Sequence, residues 1–261
     1  MLRIMNWDSR ELIREFDCED LRGRDLSGTD LYLADLTDIS LHGARLIGAN
    51  LCRILAERVD LSHAHLERAD LSMARLRGAD LSFARGRESR LAGVRMMGAR
   101  LNDADFTRAS FLFGELARVH AQNAILLSAD LHKSDLSEAD LTGADLAAAN
   151  FSVADMRKAC LSHATLANAV LTNADLREAS LRDAELGVAL FHGTRLEGAD
   201  FRGAHLSKTV FACCRDLHLA RGLEEVVFRD SASIDMQTLD ACGQHLPQSF
   251  LEGCGAHLHR S

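Results

Sequence analysis

The stretch ADLSMARLRGADLSF at positions 69–83 decides the fold, because it divides into three groups of five residues with one pattern. Each group begins with alanine and carries leucine in its third place, at Leu71, Leu76 and Leu81. The same frame extends in both directions without a slip over the range Leu21–Phe211, and one repeat every five residues gives 39 repeats. Internal repetition on this scale predicts a solenoid.

A period of five fits neither common element. Five residues advance an α-helix by about 500°, which would spread the leucines around every face. A strand alternates with a period of two. A chain that turns a corner every five residues does fit, with one large apolar residue and one small residue pointing inward on each side. Such a core of leucine and alanine agrees with a composition that is 47% hydrophobic and only 5% aromatic.

Three repeats lack the large central residue, which is replaced by Ala56, Gly86 and Ala121. We expect each of them to leave a gap or a bent coil wall. Gly86 lies in the least regular stretch, where Ser89 also replaces the usual alanine. This stretch is either a degenerate repeat or a deformable coil used for recognition.

These repeats resemble the pentapeptide-repeat family, whose motif is A-(D/N)-L-x-x. The resemblance covers about three quarters of the chain. It implies an all-β fold, a right-handed quadrilateral β-helix with four repeats in each coil. About ten coils stacked at ~4.8 Å make a rod roughly 47 Å long.

The two ends of the solenoid need caps, because each exposes apolar core and unpaired strand edge. We expect a helical cap over residues 1–18, the solenoid over 19–214 and a mixed strand and helix cap over 215–261. Asp8-Ser9-Arg10-Glu11 has capping-box spacing and predicts a short helix at about 9–16.

The C-terminal cap is expected to hold several short elements. A turn and a final strand are predicted over 221–228, a helix capped by Ser233 as far as Cys242, and a second helical turn over 247–251. Residues 233–255 also resemble a segment that follows pentapeptide repeats, before a Toll/interleukin-receptor-type domain, in some bacterial multidomain proteins. The alternative interpretation is an ordinary cap.

One outer face carries most of the exposed apolar side chains if each coil has 20 residues. We name these residues the apolar stripe: Tyr32, Leu33, Met73, Leu112, Phe113, Val153, Val170 and Leu190. A lengthwise apolar stripe on a polar rod favours a protein contact or self-association. The alternative is scattered surface apolar residues, which are common.

Charge is divided along the chain. A basic belt comprises Arg75, Arg85, Arg87, Arg90, Arg95 and Arg100, and an acidic belt comprises Asp130, Asp135, Asp140, Asp145 and Asp155. The belts are either an electrostatic docking surface or the product of a motif that places Asp at its corners.

Catalytic chemistry is not indicated. The sequence contains no G-x-S-x-G, G-x-G-x-x-G or Walker loop. The repeat itself places Asp and Ser on every face, so triads arise by coincidence. Cys254, His257 and His259 provide three candidate metal ligands without an evident fourth. We therefore expect no enzyme activity, no cofactor and no metal.

The bulk composition limits the compartment and the partners. Seven cysteines, an odd number without C-x-x-C, predict reduced thiols in a cytoplasm. No apolar run approaches the ~20 residues of a membrane helix. A net charge of −8 disfavours direct nucleic-acid binding, which needs cationic surface.

The expected function is therefore a noncatalytic scaffold that binds a protein. The family resemblance implies, as the most specific candidate, a DNA-mimicking protein that modulates or protects a type II topoisomerase, DNA gyrase or topoisomerase IV, and gives resistance to its inhibitors. A homodimer seam along the apolar stripe is compatible with that function. The alternative is an adaptor or effector that presents its C-terminal segment to a signalling or host protein.

Overall fold

The computed structural model of the protein describes residues 1–256. Its central part is a β-helix in which one coil takes 20 residues. Isolated parallel bridges join the corner residue of each repeat to the residue 20 places later, from Asp25–Arg45 to Glu185–His205. Four repeats therefore form one coil, and residues 20 apart lie above one another.

The four sides of a coil are named here in chain order by their central leucines, Leu21, Leu26, Leu31 and Leu36. In nearly every repeat the central residue and the small residue two places before it are buried, while the other three reach the surface. The core is therefore a continuous stack of leucine and alanine, as the period of five predicts.

Each regular repeat before the last coil closes with the same turn, which the repeat centred on Leu81 illustrates. The Ala84 amide donates to the Leu81 carbonyl over 3.0 Å, and Phe83, the second residue inside the turn, has a φ of 60°. A positive φ at that place only is the pattern of a type II turn. The Leu81 and Phe83 amides donate to the next coil, to Arg100 and Asn102. These ladders hold even non-glycine residues in the left-handed region.

The aspartate of the motif has a backbone role. Asp80 Oδ1 accepts a 2.9 Å hydrogen bond from the Ser82 amide, which is the one turn amide that the ladder between coils leaves unbonded. Asn50 makes the same contact with the Cys52 amide. Asp and Asn favour this local bond to the amide two residues later, so the motif places them before the central leucine.

A gap was one of two outcomes expected at Gly86, and that part of the expectation was wrong, because the space is filled. A Cβ atom built on Gly86 would lie 2.1 Å from the ring of Phe106, the central residue one coil later on the same side. The fully buried Phe106 ring occupies the missing side-chain volume and packs edge-on against Phe111 at 5.6 Å. The buried Ser89 hydroxyl donates to the Gly86 carbonyl over 2.6 Å. This coil is filled and hydrogen-bonded.

The N-terminal cap is a β-hairpin, so the predicted helix at 9–16 is wrong. Strands β1 (Leu2–Met5) and β2 (Leu12–Phe16) pair antiparallel. The Asn6 side chain accepts hydrogen bonds from the amides of Asp8 and Ser9, which starts a turn where the helix was expected. The Met5 carbonyl then accepts from the Asp35 amide of the first coil. Pairing with the exposed coil edge therefore overrides the local capping-box signal.

The coil pattern continues past the last regular repeat, with longer sides. The remaining strands are β3 (Leu190–His192), β4 (His205–Leu206), β5 (Val210–Ala212), β6 (Val227–Phe228) and β7 (Ser233–Ile234). Strands β3, β5 and β7 pair in parallel, as do β4 and β6. Two 3₁₀ helices, Leu217–Leu219 and Leu223–Glu225, accommodate the residues added to this coil.

Three short helices then cover the end of the core: α1 (Met236–Cys242), a 3₁₀ turn (Gly243–His245) and α2 (Gln248–Gly253). Ser233 does not cap α1, because it lies in strand β7 and α1 begins three residues later, at Met236. Asp235 accepts the Thr238 amide over 2.8 Å instead. Phe250 of α2 is buried, 5.6 Å from the Phe211 ring. Within residues 1–256, none of the helices is long and apolar enough to cross a bilayer.

Candidate interaction surfaces

The apolar stripe lies along the third side of the β-helix. Six of its residues follow the central residue of that side, whereas Val170 and Leu190 lie at the adjoining corner. Four are exposed: Tyr32 at 41%, Met73 at 48%, Phe113 at 54% and Val153 at 46%. The other four, Leu33, Leu112, Val170 and Leu190, are partly buried. The 20-residue coil therefore brings the stripe together on one side.

The exposed members of the stripe are regularly spaced. Met73, Phe113 and Val153 occupy the positive-φ turn position in every second coil, about 10 Å apart. Gly93 lies between the first pair, and the Met73 thioether covers the space that a Cβ on Gly93 would occupy. Lys133 lies between the second pair, with its ammonium group 5.3 Å from the Phe113 ring. The row is thus a set of spaced apolar projections with small or cationic residues between them.

Trp7 is a surface residue that the sequence reasoning missed. Its indole N–H donates to the Arg53 carbonyl over 2.8 Å, and the Arg75 guanidinium lies 4.7 Å from its ring centroid. The Trp7 amide donates to the carbonyl of Leu33. The N-terminal hairpin therefore covers the beginning of the third side. Only the fact that Trp7 is the single tryptophan of the chain could have drawn attention to it.

Exposed apolar residues also occur on other sides, and the sequence reasoning did not name them. They are Phe83 on the first side, Ile125 at the corner between the first and second sides, and Leu127 and Val188 on the second side. Phe83 stacks on the His63 ring at 4.9 Å, which leaves one ring face to solvent. Sorting all outward positions by 20 residues would have found these residues. They are single projections, whereas the third side carries a row.

The basic belt surrounds the rod. Arg75 and Arg95 share one corner, and the other four members lie on the remaining sides and corners. Four members pair with carboxylates in neighbouring coils: Arg87 with Asp105, Arg90 with Asp70, Arg95 with Glu115, and Arg100 with Asp80, at 2.8–3.6 Å. Counting charge along the chain overstated the net positive charge of the basic belt, because these carboxylates lie one coil away from the arginines that they neutralise.

The acidic belt also encircles the rod. Asp130, Asp135, Asp140 and Asp145 occupy the four corners of one coil, and Asp155 lies above Asp135. Each of the five accepts the backbone amide two residues later, at 2.9–3.2 Å. One oxygen of each carboxylate therefore serves the turn, and the other oxygen remains to face the surface or a neighbouring side chain.

Asp155 differs from the rest of the acidic belt because it carries its own counter-charge. The Arg157 guanidinium donates to both carboxylate oxygens, over 2.8 Å to Oδ1 and 2.6 Å to Oδ2. This pairing lowers the pKa of Asp155 below its ordinary value. The uncompensated part of the belt is the ring formed by the first four aspartates.

Candidate metal ligands do not converge in the part of the chain that the structure describes. No three or more His, Cys, Asp and Glu side chains in residues 1–256 are grouped so as to hold a metal ion. Cys254 is partly buried, and burial raises the pKa of its thiol to about 12. His257 and His259, its suggested companions, lie outside the described residues.

The sequence matches the family model for pentapeptide repeats in eight copies between residues 20 and 218, over the partly overlapping ranges 20–52, 57–85, 74–111, 115–152, 124–162, 159–198 and 189–218. The chain belongs to the pentapeptide-repeat family. Its β-helix is therefore a feature that it shares with the family. A comparison with curated proteins found no match.

Solved structures of other pentapeptide-repeat proteins are similar to this chain. HetL, which is involved in heterocyst differentiation regulation in the cyanobacterium Nostoc, is 32% identical, with a TM-score of 0.50 over 79% of this chain and 92% of HetL. QnrB1, a plasmid-mediated fluoroquinolone resistance protein, is 16% identical, with a TM-score of 0.36 over 92% of this chain and 97% of QnrB1. A protein of the Arabidopsis thaliana thylakoid lumen is 22% identical, with a TM-score of 0.15 over 62% and 67%. The last two likenesses concern the fold alone.

Proposed function

We propose that this pentapeptide-repeat protein is a noncatalytic scaffold that binds a protein partner through the third side of its β-helix, in the cytoplasm. The observation that carries the proposal is the row of exposed apolar side chains Tyr32, Met73, Phe113 and Val153 on that side. Exposed apolar side chains concentrated on one side of a polar rod favour a protein contact, and aromatic residues and methionine are enriched in such contacts. HetL, a relative with a regulatory role, is consistent with a scaffold of this kind.

A photo-crosslinking amino acid tests the proposed surface. It replaces Phe113 on the third side or, as a matched control, Phe83 at the same turn position on the first side, where exposure is nearly equal at 49%. We expect a discrete crosslinked protein from position 113 and none from position 83. Equal crosslinking from both positions would contradict a preferred side.

The finer proposal is that the partner is a type II topoisomerase, DNA gyrase or topoisomerase IV, and that binding confers inhibitor resistance. The family resemblance and the net charge of −8 support it, as does the ring of uncompensated aspartates around one coil. Direct binding of nucleic acid is disfavoured by the same negative charge.

Aspartate-to-asparagine substitutions test this partner without disturbing the turns. Asn150 accepts the Ser152 amide at the same repeat position, so Asn can replace Asp130, Asp135, Asp140 and Asp145 in the fold. We expect the wild-type chain to alter gyrase supercoiling or its inhibition by a quinolone, and the fourfold variant to lose that effect. A wild-type chain without effect on either enzyme would exclude the topoisomerase and leave the scaffold proposal standing.

A second candidate is an adaptor that presents its C-terminal segment to another protein. The observation that favours it is the exposure of Leu219, Val227 and Met236 on the enlarged last coil and its cap, with Met236 exposed at 69%. Replacing these three residues by serine would then abolish partner capture, while Phe113→Ser would not.

The apolar stripe could also be covered by a second copy of the chain. Sedimentation equilibrium distinguishes this homodimer from a complex with another protein. A dimer that becomes monomeric in Met73→Ser/Phe113→Ser would assign the stripe to self-association.

A further inference from the structure

Two glycines form the floor of a depression of about 450 Å³ on the fourth side. Gly78 and Gly98 occupy the positive-φ turn position in consecutive coils, where most repeats carry a side chain. A Cβ on Gly98 would meet no atom within 4 Å, so the missing side chain leaves open space. The residues before and after them in the same row are Arg58 and Arg118. This fourth-side depression is thus a short recess with an arginine at each end.

The wall of the fourth-side depression is also basic. Arg77 and Met97 lie in the adjacent row, together with Glu57. An overlapping recess extends to the corner that holds Arg75, Arg95 and Glu115. The combined lining contains five arginines and two glutamates, so it is cationic although the chain as a whole is acidic.

Three of these five arginines have no ionic partner in the part of the chain that the structure describes. Arg118 pairs with Glu138 at 3.0 Å, and Arg95 pairs with Glu115 at 3.3 Å. Among residues 1–256, Arg58, Arg75 and Arg77 form neither an ion pair nor a side-chain hydrogen bond, and Arg75 lies over the Trp7 ring instead. Their guanidinium donors therefore remain available at the recess.

A larger depression further along the fourth side provides an internal comparison. Arg157, Lys158 and Arg177 line it together with Glu138, Glu178 and Glu197, so its charges balance. Lys158 pairs with Glu178 at 3.8 Å, and Arg177 pairs with Asp175 at 2.6 Å. Concavity alone is therefore common on this side, and uncompensated arginine is what distinguishes the depression at Gly78 and Gly98.

We propose that the fourth-side depression binds a small ligand that carries two or more phosphate groups. Guanidinium groups bind phosphate through paired hydrogen bonds, which makes arginine suited to this chemistry. Arg58 and Arg118 are three coils apart, which is roughly 14 Å, and Arg77 lies between them. Several phosphates of one ligand can therefore contact different arginines.

The same row limits the length of the ligand. Asp38 precedes Arg58 and Glu138 follows Arg118 at the equivalent turn positions. A long polyanion that followed the row would meet a carboxylate at each end, and the net charge of −8 would repel it. A short phosphorylated molecule avoids both charges.

Isothermal titration calorimetry of the full chain with inorganic tripolyphosphate at low ionic strength tests this site. We expect one site per chain, and Arg58→Gln or Arg77→Gln to weaken binding by about tenfold or more, the scale of one lost charge-assisted hydrogen bond. Arg108 provides a matched control, because it has the same turn position as Arg58 on the second side. Arg108→Gln should leave the affinity unchanged.

A floor variant separates loss of the site from loss of folding. Gly98→Asn fills the recess, and Asn123 shows that asparagine adopts this turn conformation, at a φ of 56°. We expect the variant to retain its thermal midpoint and to lose tripolyphosphate binding. Retained affinity would place the ligand elsewhere and refute the proposed site.

Two further ligands test the chemical class of molecule that the fourth-side depression binds. Orthophosphate should bind at least about tenfold more weakly than tripolyphosphate, because it reaches fewer arginines. A short DNA duplex should not compete with tripolyphosphate. Four results would each overturn the proposal. They are absence of tripolyphosphate binding, equal losses of affinity in Arg58→Gln and Arg108→Gln, equal affinities for orthophosphate and tripolyphosphate, and competition by the DNA duplex.

Discussion

Gly86→Leu restores the repeat motif, and we predict that it destabilises the protein. A Cβ at this position would lie 2.1, 2.3 and 2.9 Å from three atoms of the Phe106 ring, which is fully buried. Ordinary contacts begin at about 3.5 Å, so the ring must move by more than an ångström. Overpacking of this kind costs about 1–3 kcal/mol. The gain from replacing glycine, about 0.4–1 kcal/mol through the unfolded chain, is smaller.

A second substitution, Phe106→Leu, reverses the expected sign of the stability change that Gly86→Leu causes. In Phe106→Leu the ring is gone, so Gly86→Leu fills the space left behind and becomes neutral or stabilising. The double-mutant cycle should give a coupling of about 2 kcal/mol, which is within the range for residues in contact. Gly86→Leu/Phe111→Leu is the control, because Phe111 packs on Phe106 but does not occupy the space at Gly86.

Urea unfolding followed by far-UV circular dichroism measures these free energies, and a constant m-value shows that only stability has changed. The predicted order of midpoints places Gly86→Leu below wild type and Gly86→Leu/Phe106→Leu at or above Phe106→Leu. If Gly86→Leu were as stable as wild type, or equally damaging with and without Phe106, the compensation between these two coils would be refuted.

Three further predictions follow from local contacts. Asp145→Ala should lower the free energy of unfolding by about 1 kcal/mol, because the Ala147 amide loses its 3.1 Å acceptor. Asp145→Asn keeps an acceptor and should change the free energy of unfolding by less than about 0.5 kcal/mol. The urea unfolding midpoints of the two variants check this prediction. Hydrogen bonding from Arg202 lowers the pKa of the buried Asp200 carboxyl group. The ionised carboxylate therefore stabilises the fold above the unfolded pKa of about 3.9, and this stabilisation is lost as the pH falls through the lower pKa of the folded state. The thermal midpoint should therefore fall below about pH 4, and Asp200→Asn should reduce that fall; an identical acid profile would refute this role. Trp7→Ala should lower the free energy of unfolding by about 2 kcal/mol, because it removes the indole hydrogen bond and a half-buried ring. Amide hydrogen exchange should become faster in the first coil, while residues 140–180 stay protected.

The sequence was sufficient for the β-helix because every repeat carries the same local information. Leu81 and Asp80 each perform one role, burial and turn closure, and these roles recur in every coil. The 20-residue coil then assigns each outward residue to a side. That is why the eight residues of the apolar stripe could be placed together before the structure was known.

The features that the sequence did not predict all depend on contacts between coils or at the ends. Phe106 fills the space of Gly86 from the next coil, and nothing within the Gly86 repeat indicates it. Asp105 neutralises Arg87 across coils, so counting charge along the chain misled. At the N-terminus, the coil edge at Asp35 binds Met5 and selects a hairpin over the helix that Asp8 and Glu11 suggested.

The central claim is that the third side is the binding face. The affinity of the chain and its variants for the protein that crosslinks to position 113 tests it most directly. Phe113→Ser removes the most exposed projection of the row, and Phe83→Ser removes a ring of nearly the same exposure on the first side. Loss of a buried aromatic contact at an interface costs at least about 1.4 kcal/mol, or tenfold in affinity. We predict that Phe113→Ser raises the dissociation constant by about tenfold or more while Phe83→Ser leaves it unchanged. Equal effects of the two substitutions, or no effect of Phe113→Ser, would contradict the assignment of the third side.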